Sequence, residues 1–266
     1  MRSDADLPAP DLPVAGYDEI RLLRQDRLGR VFAARHEADN SLVALRRLPA
    51  GALDDKSVRD ELGALVERYS TVADERVANV WSMTRAGGGA VSGRLPETVP
   101  LAMLLEQGAL EPVAAGVVLA ACLEGLAALH RGGIVHGSLD AEHLGIGTDG
   151  DVVLLDGGIA PILGLASSNE PEADISAAVL LAERCLVAAD GSVAGSPFAG
   201  LLDAAAGGAT ALAASTVAAL DLRLGAGWRE HGRHQLTLAA LVHADQLPGA
   251  IVSGMSGEVE PRIAGE

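Results

Sequence analysis

The hydrophobic period of this 266-residue chain changes once, near Leu101. Before that point, apolar residues in IRLLRQ (20–25), RVFAARH (30–36) and LVALRRL (42–48) cluster or alternate at a period of about 2. Polar turns such as Glu37–Ser41 separate these runs, so they read as strands. Asp54–Tyr69 carries Val58, Leu62, Leu65 and Val66 on one helical face, and Val77–Thr84 and Ala90–Arg94 read as two further strands joined by the turn Ala86–Gly89. After Leu101 the period is about 3.6. Helices are predicted over Leu101–Glu106, Pro112–Arg131, Asp174–Ala189, Gly208–Leu220 and Gln235–Ala244, interrupted by two short strands around Gly145 and over Val152–Leu155. Pro112 stands at a helix start, where its missing N–H costs nothing. The order predicts an α+β chain of two lobes, β-rich over 17–97 and helical over 98–247. The Pro- and Asp-rich leader 1–16 and the Gly/Ser/acidic tail 248–266 are expected to be disordered.

Composition narrows the function classes. Hydrophobic residues make up 49% but aromatics only 2%, so the core must be built from Ala, Val and Leu. A formal net charge of −16 argues against nucleic-acid binding, which needs Lys and Arg to replace phosphate counterions. Cys122 and Cys185 sit in apolar helical runs without metal or redox spacing, and are expected to be buried free thiols in a reducing compartment. The N-terminus has no apolar signal core, and the run Val113–Leu123 is shorter than the ~20 residues of a membrane span. A cytoplasmic chain without a transmembrane segment is the expectation.

Val135–Ile159, VHGSLDAEHLGIGTDGDVVLLDGGI, carries the chemistry-bearing pattern. It resembles the catalytic loop and metal-binding strand of the bacterial, actinobacterial-type Ser/Thr protein kinase family, H-R-D-L-K-x-x-N followed by D-F-G. The resemblance runs from about Tyr17 to about Ala244 and implies a two-lobed kinase-like fold. His136, Leu139 and Asp156 match the pattern. Gly137 stands at the Arg, Ser138 at the base Asp, Asp140 at the Lys, His143 at the metal-binding Asn and Gly157 at the Phe. A hydroxyl cannot serve as the general base at Ser138, and Mg²⁺ disfavours the nitrogen ligand of His143. No catalytic residue is therefore expected; Asp140 is the one candidate substitute base. Asp156 alone would hold a cation weakly. His136 is implied to be structural, as is Asp174, expected to open its helix and accept bonds from the backbone near His136–Gly137.

The small-lobe motifs are equally worn. The glycine loop G-x-G-x-x-G-x-V aligns with RQDRLGRV, where Gly29 and Val31 match and Arg24 and Asp26 replace the first two glycines. V-A-I-K aligns with Val43-Ala44-Leu45-Arg46, placing Arg46 at the phosphate-binding Lys. Glu61 is its expected ion-pair partner, with Glu67 as rival. The resemblance thus implies a degenerate nucleotide cleft of Gly29, Val31, Ala44, Arg46, Glu61 and Asp156. Between Asp156 and Asp174 there is no A-P-E motif and no room for a full activation loop. The spelling H-G-x-L is also similar to aminoglycoside phosphotransferases of the same fold, whose base is missing here too.

Seven arginines crowd the first strands: Arg21, Arg24, Arg27, Arg30, Arg35, Arg46 and Arg47. They read either as an anion site or as solvated strand and turn arginines paired with acids. Together these features predict a pseudokinase that acts as a regulatory or scaffolding module. No cofactor is expected to be required, and ATP is expected to bind weakly or not at all. The partners implied are proteins: a Ser/Thr kinase, a phosphothreonine-reading protein or a cell-envelope protein. The alternatives are an atypical phosphotransferase using Asp156 and Asp140, and a nucleotide-binding sensor without catalysis.

Overall fold

The structure, a computed structural model, describes residues 13–166, 168–187, 209–248 and 250. The expected disordered tail beyond 250, most of the leader, and the predicted helix ends at Ala189 and Gly208 lie outside the described residues.

Five antiparallel strands form the small lobe: β1 (Tyr17–Asp26), β2 (Gly29–His36), β3 (Leu42–Arg47), β4 (Val80–Thr84) and β5 (Ala90–Arg94). Their order is β1-β2-β3-β5-β4. Side chains alternate across the sheet, so Val43 and Leu45 point one way and Ala44 and Arg46 the other. Val14 packs with Ala34, Val43, Leu45 and Ala90 over the first face. Packing therefore begins before Tyr17, inside what reads as a disordered leader, because Val14 covers sheet carbon that would otherwise face water.

One helix, α1 (Lys56–Tyr69), interrupts the strands. Asp55 caps it by accepting from the Ser57 N–H at 2.7 Å, and it buries Leu62, Leu65 and Tyr69. A second sheet, β6 (Thr98–Pro100), β7 (Leu144–Gly147) and β8 (Val152–Leu154), joins the connector to the large lobe. The connecting segment thus contributes a strand that the sequence pattern does not reveal.

The large lobe is helical: α2 (Leu101–Gln107), α3 (Pro112–Arg131), the one-turn α4 (Ile159–Ile162), α5 (Pro171–Cys185), α6 (Ala209–Leu224) and α7 (Trp228–Leu241). α3 has the length and composition of a membrane span, contrary to the shorter apolar run read from sequence, yet most of it is buried inside the protein against α5, α6 and α7. It is the lobe's central helix. α7 begins seven residues earlier than predicted, because Trp228, Gly232, Leu236 and Ala240 form its buried stripe. A glycine and a Trp amid WREHGRH conceal that stripe. Both cysteines are buried free thiols, as expected, and burial raises each thiol, Cys185 to about 12.

A single apolar cluster runs from Leu62 and Leu65 through Leu129 and Ile134 to Ile175. The lobes therefore share one core behind the cleft. Among the described residues, the segment between β8 and α5 holds only the turn after Asp156 and the short α4.

Candidate functional site

Register across the small-lobe sheet places the cleft residues. Arg24 pairs with Val31, Val31 with Arg46, and Arg46 with Val91, so these four side chains share one row on one face. Asp26, two residues beyond Arg24 on the same strand, shares that face. Gly29 follows the tight turn at φ +119°, and a Cβ there would lie 1.9 Å from the Arg47 carbonyl oxygen. The turn is held by Asp26 Oδ1 accepting from the Leu28 N–H at 2.7 Å.

The row converges on Asp156. Arg46 is 2% exposed and its planar fork serves two carboxylates at once. It donates to Asp26 Oδ1 at 2.7 Å and Oδ2 at 2.9 Å, and to Asp156 Oδ1 at 3.0 Å and Oδ2 at 2.8 Å. Arg24 Nη2 also contacts Asp156, and Arg24 Nε lies 3.5 Å from Asp26 Oδ2. Two guanidiniums and two carboxylates cancel in charge, which is what allows them to leave water together. Burial opposes ionisation of Asp26, but the His143 imidazole and the Arg46 guanidinium outweigh it and hold the carboxyl far below its usual range. Burial, then the like charge of Arg46, lowers Arg24 to about 10.

Asp156 adopts φ +63°, left-handed backbone that a non-glycine residue rarely takes. The two residues after it are glycines. A Cβ on Gly157 would lie 2.9 Å from the Tyr69 hydroxyl and 3.1 Å from Leu129 Cδ1. Tyr69 therefore fills the space a Phe would need, and its hydroxyl donates to the Gly157 carbonyl at 2.9 Å.

Below the turn lies a second buried centre. Asp174, 3% exposed, accepts from the backbone N–H of His136 at 2.7 Å and of Gly137 at 2.9 Å, and pairs with His130 Nε2 at 2.9 Å. Burial would raise its carboxyl, yet His130 and the neighbouring donors bring it below the ordinary range. His136 is fully buried, and that burial pushes its imidazole down to about 4. Asp174 binds the loop as predicted but does not cap α5. That helix starts a turn earlier, with Pro171 in its first turn and Glu170 as the cap residue.

In the loop itself, Ser138 is buried and its hydroxyl has no hydrogen-bond partner. Asp140 opens a 3-10 turn over Ala141–His143, accepting from the N–H of Glu142 at 2.9 Å and of His143 at 3.1 Å, and meeting His143 Nδ1 at 2.7 Å. Burial opposes this carboxylate, but the His143 bond prevails and its pKa falls. Beside the charged row, Val31, Ala44, Met103 and Leu155 line an interlobe cavity of about 140 Å³, with Arg21 and Arg24 at its edge.

The structure thus brings together Val31, Ala44, Arg46 and Asp156, and corrects the expected Arg46–Glu61 pair. Glu61 is exposed and accepts from Ser57 Oγ at 3.1 Å; both sides of the Arg46 fork are already taken. The partner that sequence reasoning missed is Asp26, and its signal was the two-residue spacing from Arg24 on a strand. His130 was missed as well. The arginine cluster divides: Arg24 and Arg46 enter the cleft, Arg47 pairs with Glu19, Arg35 bonds Asn40, and Arg30 and Arg47 lie over Phe32.

No protein-family model matches the chain. Over 149 residues it is 34% identical to the serine/threonine-protein kinase PknL of Mycobacterium bovis and of Mycobacterium tuberculosis. The match covers 56% of this chain and 34% of each relative, so the chain spans about a third of the length of the curated relatives it matches. The crystal structure of the Mycobacterium tuberculosis PknI kinase domain superposes with a TM-score of 0.62, covering 80% of this chain and 100% of that one at 18% identity. That likeness establishes the two-lobed kinase fold.

Proposed function

We propose that this kinase-fold chain is catalytically degraded and works as a regulatory or scaffolding module that binds other proteins. The observation that carries the reading is the closed charge cluster. The side chains of Arg24 and Asp26 replace glycines whose bare backbone would approach nucleotide phosphates, and they are bonded instead to Asp156 and Arg46. The donor set suits Mg²⁺–ATP poorly. His143 offers nitrogen where Mg²⁺ prefers oxygen, and the Arg24 and Arg46 guanidiniums already neutralise the charge of Asp156. Asp140, the one substitute base, is committed to capping its turn and has a lowered pKa, which weakens it further as a proton acceptor. Phosphoryl transfer rests on positioning and charge stabilisation, so these losses compound.

The similarity to PknL, a Ser/Thr kinase, supports a protein partner; the candidates are an active kinase of that type, a phosphothreonine-reading protein or a cell-envelope protein. Radiolabel transfer from Mg²⁺–ATP by the purified protein is the direct test. The expected result is none, to itself or to generic substrates, and no thermal shift with Mg²⁺–ATP. Transfer that is lost in both Asp140→Asn and Asp156→Asn would establish a displaced-base enzyme instead.

A further inference from the structure

We propose that Asp26, His143 and Asp156 form a binding site for a divalent transition-metal ion of the Zn²⁺/Co²⁺ class, filled without nucleotide and joining the two lobes. One ligand atom from each residue lies within 4.8 Å of the others. In tetrahedral geometry, ligands held about 2.0–2.2 Å from one ion stand about 3.3–3.6 Å apart, so side-chain movements of about 1 Å separate this arrangement from a coordinated one.

The observation that points to a ligand is the His143 ring. It is 2% exposed, and its Nε2 has no hydrogen-bond partner while facing Asp26 Oδ2 at 3.6 Å. A buried ring nitrogen left unpaired is uncommon and costly. The other ring nitrogen, Nδ1, is held by the Asp140 carboxylate at 2.7 Å. With Nδ1 held by Asp140, Nε2 is the atom left to bind a metal, which would displace any proton it carries. A carboxylate fixing one imidazole nitrogen while the other binds metal is the usual support for a histidine ligand. Imidazole with two carboxylates selects borderline transition ions over Mg²⁺.

Arg24 is the cation that such an ion would displace. Its Nε has no hydrogen-bond partner, it lies beside the like charge of Arg46, and the adjoining cavity gives it room to withdraw. Arg46 can stay, since each carboxylate oxygen has more than one lone pair. Asp26 comes from the β1–β2 turn and His143 and Asp156 from the large lobe, so the ion would bridge the lobes. This inference stands whether or not the cleft transfers phosphate, and its test contains no nucleotide.

The chelator-stripped protein titrated with Co²⁺ is expected to bind one equivalent, with visible ligand-field bands that Zn²⁺ abolishes and millimolar Mg²⁺ does not. Asp26→Asn should weaken binding at least tenfold, and Arg24→Ala should tighten it by a similar factor by removing the competing cation. Absence of saturable binding in both the parent protein and Arg24→Ala overturns the proposal. So does unchanged binding in Asp26→Asn, which would place the ion on surface histidines. If Asp26→Asn fails to fold by circular dichroism, Arg24→Ala decides: tighter binding supports the site, and unchanged or weaker binding overturns it.

Discussion

The centre around Asp174 and the cleft around Asp156 both bury a carboxylate, but they satisfy it differently. Asp174 receives two backbone N–H groups and one imidazole, all from within the large lobe. Asp156 receives two long arginine side chains that reach across from the small lobe. Backbone donors come from the chain trace, so any sequence that folds this way supplies them. Arginine donors come from individual residue choices, which can change without changing the trace. The lower centre is therefore set by the fold itself, while the upper one depends on the side chains chosen.

The sharpest way to break this comparison is to remove Asp174. Asp174→Ala strands two backbone donors and His130, and should cost about 3–5 kcal/mol in urea unfolding, or abolish folding. In the cleft, Arg46→Leu leaves two carboxylates facing Arg24 alone, with an expected cost of roughly 2–4 kcal/mol. Adding Asp26→Leu should recover part of that loss by restoring charge balance. A double variant less stable than the single one would show that the cluster is held by packing rather than by charge.

Acid separates the two regions. His136 stays neutral in the fold, with its pKa lowered by burial to about 4, against ~6.5 in the unfolded chain. Between those values the unfolded state binds more protons, so this contribution is complete above pH 6.5 and is lost as pH falls toward 4. Urea titrations from pH 7 to 4.5 should show a decline of roughly 2–3 kcal/mol, flattened in His136→Gln. Asp26 and Asp140, both depressed, stabilise at every pH above the ordinary carboxylate value of about 4. Their contribution is lost only as pH falls below it, so the cleft should fail after the lower centre has weakened. The smallest effect expected is at Glu61, where replacement by Ala should change stability by less than about 0.5 kcal/mol.

The lobe order, the lone helix of the small lobe, the burial of His136 and the contact of Asp174 with the loop were legible because each rests on a local period or a short motif. The cleft was legible only in part. Arg24, Val31 and Arg46 become neighbours through strand register, which hydrophobic pattern does not fix, and Asp26 joins them through the same register. Glu61 misled because it sits one position before Leu62, on the flank of the apolar face of α1, where a helical count alone cannot tell inward from outward. The start of α5 was misplaced for a simpler reason: Pro171 can begin a helix, and Asp174 looks like a cap.

The bond from Tyr69 to the Gly157 carbonyl has a mechanical consequence. It fastens the last turn of α1 to the segment carrying Asp156, and Leu62 and Leu65 bury the rest of that face. Sliding the helix away would break a buried hydrogen bond of about 1 kcal/mol and wet two leucines. The same helix packs on β4, so it ties the sheet to the segment carrying Asp156, and rocking of the small lobe would strain both contacts. Amide protons of α1 should exchange on the timescale of α3, while those of the β1–β2 hairpin exchange sooner. In such a molecule the helix is the mechanical link between the two lobes.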